Sequence, residues 1–219
     1  LWHYERHLPE LDAIFSISYA DTAYFRIHHP ASKSIHLPAF HAADAVTILP
    51  GSGTYCLFHG NLEMEENIRA AEYLAKEVFN DGQISFVIAG RRPHARVMRL
   101  QNKQIRVIAN PDDRYMHQLI QEAHIHILPG SQQTGMKLKL IHALFSGRHC
   151  IIQNTQADPA LRTLVHTAPD AASCRQLAQQ LMQQPFSETD IQSREEVLQP
   201  YSNAVLAQNF LRCLDDLAD

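Results

Sequence analysis

The stretch Pro129-Gly130-Ser131-Gln132-Gln133-Thr134-Gly135-Met136-Lys137-Leu138-Lys139-Leu140-Ile141-His142 runs a polar loop straight into a helical pattern with two lysines in its opening turns. Unpaired backbone N–H groups, the positive end of a helix dipole and a lysine charge at one spot make a place for a diphosphate. Thr134 and Gly135 mark the entry to that helix. Lys137 and Lys139 are two positions apart and cannot point the same way, so one meets the anion while the other is solvated or paired. Leu138, Ile141, Leu144 and Phe145 account for the buried side of the helix, but they do not explain the loop ahead of it.

Two further turns carry the residue types that a phosphate needs. His59-Gly60-Asn61-Leu62 closes an apolar run, and Gly60 lets the backbone approach a ligand closely while the next helix offers its N–H groups. A plain strand-to-helix turn accounts for this glycine equally well. Ala89-Gly90-Arg91-Arg92-Pro93 ends a second run, and its arginines either face a diphosphate or stand solvated at a loop. The full Gly-x-Gly-x-x-Gly pattern is absent at the first turn, which disfavours an NAD or FAD dehydrogenase. The fourteen histidines include no His-Glu-x-x-His, and they read mostly as surface or loop residues with no metal site. Cys56, Cys150, Cys174 and Cys213 have neither Cys-x-x-Cys nor metal-ligand spacing, so they read as reduced core or helix residues of a cytosolic protein.

The elements that must position these turns alternate along the chain. Short apolar runs at 55–60, 84–89, 104–108, 124–128 and 149–153, with a weaker one near 164–167, predict strands. Between and after them, helical spacing is read over 63–79, from Pro93, over 112–122 and over 135–145 with Gly147 as its C-cap, then over 171–184, within 188–198 and over 204–217. Such alternation predicts an α/β fold, a Rossmann-like parallel sheet of about six strands with helices on both faces. Ligands of such sheets bind at the carboxyl ends of the strands, where all three candidate turns fall. Residues 1–50 carry a strand over 12–18, a helix over 20–28 and an extended run over 33–40, too little to close a core of their own. They read as the trailing edge of a preceding domain and its linker, with Gly51-Ser52-Gly53 a flexible joint to a ligand-binding domain over 51–219. A net charge of -4 gives no sign of a nucleic-acid surface, and no apolar run reaches membrane-spanning length.

With these residues in view, Thr134 to Ile152 resembles the donor-site helix and following strand of retaining GT-B glycosyltransferases, in the subgroup that carries Gly-x-Lys-x-Lys. Tyr55 to Asn67 is similar to that family's first strand and glycine turn. Ser16-Ile17-Ser18 with Asp21 and Phe25 resembles the end of its N-terminal domain, and Leu37-Pro38-Ala39-Phe40 the strand into its linker. The 201–217 helix looks like its terminal helix, which crosses back over the N-terminal domain. The resemblance implies a C-terminal donor-binding half of a GT-B enzyme that transfers a sugar from a UDP- or GDP-linked donor to a glycan or lipid-linked glycan acceptor, in polysaccharide or glycoconjugate biosynthesis. It implies retention, no metal or other cofactor, and a cytoplasmic location, peripheral to the inner membrane face in the full-length protein. The donor-binding residues it implies are Gly60, Asn61, Gly90, Arg91, Ile108, Thr134, Gly135, Lys137, Lys139 and His142, with the base against Ile108-Ala109-Asn110. Catalytic residues belong to a missing N-terminal domain, so this chain alone is expected to bind a nucleotide and transfer nothing. Asn61 and Glu66 stand where the family has an arginine and a lysine, and Thr134 and His142 where it has glutamates. These departures leave open an inactive nucleotide-binding domain, and the overall shape leaves open a nucleotide-sugar epimerase.

Overall fold

Strands as apolar as Cys56-Leu57-Phe58 and Ile125-His126-Ile127-Leu128 are stable only where both faces of their sheet are covered. The computed structural model describes residues 8–129, 138–153 and 159–218. Its main sheet contains β3 (Cys56–Asn61), β4 (Phe86–Arg91), β5 (Ile105–Ala109), β6 (Ile125–Leu128), β7 (His149–Ile152) and β8 (His166–Thr167). The spatial order is β5-β4-β3-β6-β7-β8, and every pairing is parallel. The chain therefore leaves β3 in one direction and returns to β6 on its other side, which creates a crevice at their carboxyl ends.

Side-chain alternation assigns the helices to faces. Phe58, Phe86, Ile88, Ile125 and Ile127 pack under α2 (Glu65–Tyr73), α3 (Ala95–Met98) and α6 (Ala171–Leu181). Leu57, Val87 and Ala89 pack under α4 (Asp113–Glu122), and Cys150 and Ile152 under α5 (Leu138–Ser146) and α7 (Glu188–Leu198). Asp112 starts α4 by accepting the Tyr115 N–H at 2.7 Å, as an N-cap should. Helix α2 widens into a π-helical turn over Leu74–Val78, which periodicity did not indicate. Helix α3 is a single turn, capped by His94 rather than started by Pro93.

Two readings of the sequence need correction, and a third, that the histidines are mostly surface or loop residues, has four exceptions. Gly147 ends α5, its N–H on the Ala143 carbonyl at 2.8 Å, but it does not take the left-handed conformation of a glycine cap. A Cβ there would lie 2.0 Å from Nε2 of His126, so the glycine makes room for a buried ring. Gly51 and Gly53 are seated rather than loose. Gly51 exchanges two backbone hydrogen bonds with Phe186, and a Cβ on Gly53 would lie 2.3 Å from the Glu122 carbonyl oxygen. Finally, His59, His124, His126 and His149 are core residues, at most 8% exposed. All four lie inside or beside strands, and three of them satisfy a ring nitrogen on a backbone carbonyl: His124 on Leu181, His126 on Ile120 and His149 on Gln184.

Residues 13–36 form a small β–α–β unit. β1 (Ala13–Ser16) pairs in parallel with β2 (Lys33–His36), and α1 (Tyr19–His28) connects them, capped by the Ser18 hydroxyl. The last helix, α8 (Asn203–Ala218), reaches this unit, with Phe210 edge-on to Phe15 at 5.1 Å. Asn203 and the backbone of His41 exchange hydrogen bonds of 3.2 and 2.7 Å. Among the described residues no helix is long and apolar enough to cross a membrane.

Candidate functional site

The site is built around the end of β3. Gly60 pairs with Gly90 and Asn61 with Arg91 in the β3–β4 register, so both glycine turns meet side by side at the carboxyl edge. Their glycines act differently. A Cβ on Gly90 would lie 1.8 Å from the Gly60 carbonyl oxygen, so Gly90 is required for backbone to approach backbone. A Cβ on Gly60 would instead lie 2.7 Å from Nζ of Lys139, the movable end of a side chain. Gly90→Ala is therefore expected to cost about 2–4 kcal/mol of folding stability, because neither strand can retreat. A urea titration of this variant against the parent tests that, and a loss below about 1 kcal/mol would show that the strands separate easily.

Lys139 reaches from the start of α5 across the top of β3. Its ammonium donates to Oδ1 of Asn67 at 2.6 Å and stands 5.5 Å over the Phe58 ring. Asn67 on α2 donates in turn to the Asn61 carbonyl at 2.8 Å. A cation is thus held above Gly60 by neutral partners, with its remaining N–H directions uncommitted to a carboxylate within salt-bridge distance among the described residues. Burial pulls the Lys139 ammonium below its ordinary pKa, and the charge of Glu66 acts in the opposite direction. Of the two candidate lysines, Lys139 is the one seen at the crevice. Lys137, Thr134 and Gly135 lie outside the described residues.

His142 stands one turn along α5 from Lys139, on the same side of the helix. Its ring lies 6.4 Å from that of His59, edge to face, and 6.3 Å from that of His117 on α4, nearly parallel. Burial lowers the His142 pKa, followed by the charges of His117 and His41. His59 is 7% exposed, and its Nε2 has no hydrogen-bond partner among the described residues. Its pKa is pushed down to about 3 by burial, then by Lys139 and His142. Among the described residues, no three His, Cys, Asp or Glu side chains are grouped to hold a metal ion.

The other candidates are more peripheral. Arg91 is exposed and 3.4 Å from the equally exposed Asp113, a contact worth little in water. It remains beside Asn61 and is free to turn toward a ligand. Arg92 has a left-handed backbone (φ 47°) fixed by its N–H on Oδ1 of Asn110 at 2.7 Å, and its guanidinium pairs with Glu63. Ile108 is half-buried against the cluster that holds Leu57, Val87 and Ala89, just before the Asn110 turn. Asn67, His59 and His117 were not singled out from the sequence. The one available signal was a polar residue interrupting an apolar strand at His59.

A family profile described as glycosyl transferases group 1 matches residues 53–183. No curated protein sequence matches the chain. Among solved structures, a glycosyltransferase from Rickettsia africae is 11% identical with a TM-score of 0.72, the match covering 95% of this chain and 64% of that one. A UDP-forming α,α-trehalose-phosphate synthase from Burkholderia xenovorans is 13% identical with a TM-score of 0.67, covering 95% and 62%. A TarM variant of S. aureus, in complex with fondaparinux, α-GlcNAc-glycerol and UDP, is 12% identical with a TM-score of 0.67, covering 92% and 43%. At such identities the likeness is one of fold, and the chain spans less than two thirds of each of these proteins.

Proposed function

The chain belongs to the glycosyl transferases group 1 family, and from that premise we propose that it holds the diphosphate of a nucleotide-sugar donor against Lys139 at the carboxyl end of β3. The observation that carries this reading is the Lys139 ammonium, fixed over Gly60 by Asn67 where two glycine turns meet. A preorganised cation of this kind stabilises charge as it builds on a departing diphosphate, and it needs no reorganisation during the reaction. Arg91 turns in from its exposed position to share the phosphates. The ribose contacts His142, and the base rests against Ile108-Ala109-Asn110. Thr134, Gly135 and Lys137 complete the donor loop.

The reaction proposed for the whole protein is retaining, metal-independent transfer to a glycan or lipid-linked glycan acceptor, at the inner face of the membrane. The acceptor site and catalytic groups come from a further N-terminal domain, so this chain alone binds donor without turnover. UDP is favoured over GDP because two of the similar structures are UDP-forming or UDP-bound by name. Glu66 favours a second reading, an inactive nucleotide-binding domain, because its charge acts on Lys139 where a phosphate would. Turnover by the full-length protein separates the two.

Calorimetric titration of the chain with UDP and with GDP tests the donor site. Lys139→Ala is expected to weaken binding about 10–100-fold, the loss of one charge-assisted contact worth about 1.5–3 kcal/mol. Gly60→Ala, which pushes the same ammonium aside without removing it, should weaken binding by a comparable factor. Equal affinity in parent and both variants would remove Lys139 from the site.

A further inference from the structure

The donor-site account uses Lys139 and His142 but leaves His59 and His117 without a role. His59 is a buried imidazole with an unpartnered Nε2, on the side of β3 that faces α5. Burying a ring nitrogen without a partner is costly, and nothing in the packing requires a polar residue there. His142 stands over it at 6.4 Å, and His117 stacks on the far side of His142 at 6.3 Å. His117 and His142 are both half-buried, so this row of three rings passes from one buried ring to two that solvent can reach.

The charged and titratable groups around the row are few. Lys139 on α5 acts on His59, and His41 of the linker acts on His142. His126 on β6 lies deeper, influenced by His59, His142 and Arg194. Glu66 acts on Lys139 from α2. On α4, Asp113 stands one turn before His117 and lies 3.4 Å from Arg91, and the remaining groups are imidazoles or cations. While the site is empty, burial and the neighbouring cationic groups disfavour the imidazolium forms of His59 and His142. A dianionic ligand reverses that balance at one step.

We propose that His117 and His142 are ligand-contacting residues of the donor site, with His59 as the positioning residue behind them, and that a nucleoside diphosphate group entering the site brings about uptake of a proton from solvent at His142. The inference rests on the donor-site reading and adds to it a binding step that strengthens on mild acidification. A carboxylate in the place of His142 would give no proton uptake near neutral pH.

The test uses the 219-residue chain with UDP-glucose and GDP-mannose, whose diphosphates have no proton that titrates between pH 6 and 8. Calorimetry at pH 6, 7 and 8, each in two buffers of different ionisation enthalpy, reads affinity and protons taken up together. Affinity should rise about tenfold from pH 8 to pH 6, the limit for one linked proton being about tenfold per unit. A sizeable fraction of a proton should be taken up at pH 6. His142→Gln should flatten both dependences, and circular dichroism checks that the variant is folded. Saturable binding with no proton uptake and no pH dependence would overturn this inference and leave the donor site standing. Binding of neither nucleotide sugar at any pH would overturn the donor site, and the inference with it.

Discussion

Between about pH 7.5 and pH 5 the folded chain is expected to lose about 4–6 kcal/mol of stability, most of what a domain of this size has to spare. The largest part comes from three imidazoles that the fold keeps neutral, and burial shifts His124, His142 and His166 in the same direction. His59, His126 and His149 are 7%, 0% and 8% exposed. Burial, their largest perturbation, pushes their pKa values down to about 3, about 3 and about 4 respectively. In the unfolded chain the same rings take up protons near pH 6.5. The unfolded state therefore binds more protons at every pH below that value. The stability these rings contribute is complete above pH 6.5 and falls by about 1.4 kcal/mol per ring and pH unit below it. Carboxylates do not confuse this window. Glu65 and Glu72 are held below their usual range by Arg69 and Arg96 and by Arg96 and Lys76, so what they contribute is lost only in stronger acid. Urea unfolding at several pH values reads the effect, with a slope approaching three protons. His149→Gln, which can still donate to the Gln184 carbonyl, should lower that slope by about one. Stability that stays flat down to pH 5 would mean that these rings reach water or a proton-accepting partner in the native state.

Replacing Arg194 by leucine is expected to destabilise the chain by about 3–5 kcal/mol, lowering its melting temperature by roughly 10 °C. Arg194 is 3% exposed and donates to the carbonyls of Leu144 (2.9 Å), Gly147 (3.3 Å), Arg148 (2.8 Å) and Leu164 (3.2 Å). Two of these acceptors belong to the C-terminal end of α5 and its exit, where backbone carbonyls lack helical partners and a positive charge is favoured. Leucine would fill part of the volume and leave the carbonyls buried and unpaired. Lysine carries the charge without the planar fork, so Arg194→Lys should fall between the two. A leucine variant within about 1 kcal/mol of the parent would mean that water replaces the guanidinium without loss. Because α5 carries Lys139 and His142, loosening its far end should also weaken nucleotide binding.

The sheet was legible because each of its strands is a short apolar run followed by a turn, and a buried parallel strand has no other way to look. β3 and β6 fall within about a residue of their expected positions for that reason. The π-helical turn after Tyr73 was not legible, since Leu74, Ala75 and Val78 fit an ordinary helix equally well. Gly147 misled for a physical reason. A glycine at a helix end usually serves its own backbone, whereas this one serves the ring of His126 across the core. Gly60 and Lys139 could each be picked out as ligand-binding types, but their contact joins residues 72 or more positions apart through Asn67. An asparagine in the first turns of an amphipathic helix has no pattern that marks it as a partner. His59, read as one of many scattered histidines, is separated from His117 and His142 in sequence and meets them only through the packing of α4 and α5.

A crystal structure of the chain with UDP, or with GDP if calorimetry selects it, tests the central claim most directly. The diphosphate is expected at the carboxyl ends of β3 and β4, within hydrogen-bond distance of the Lys139 ammonium above Gly60, with Arg91 turned away from Asp113 toward it. A nucleotide seated elsewhere with Lys139 still on Asn67, or no bound nucleotide at millimolar concentration, would contradict it.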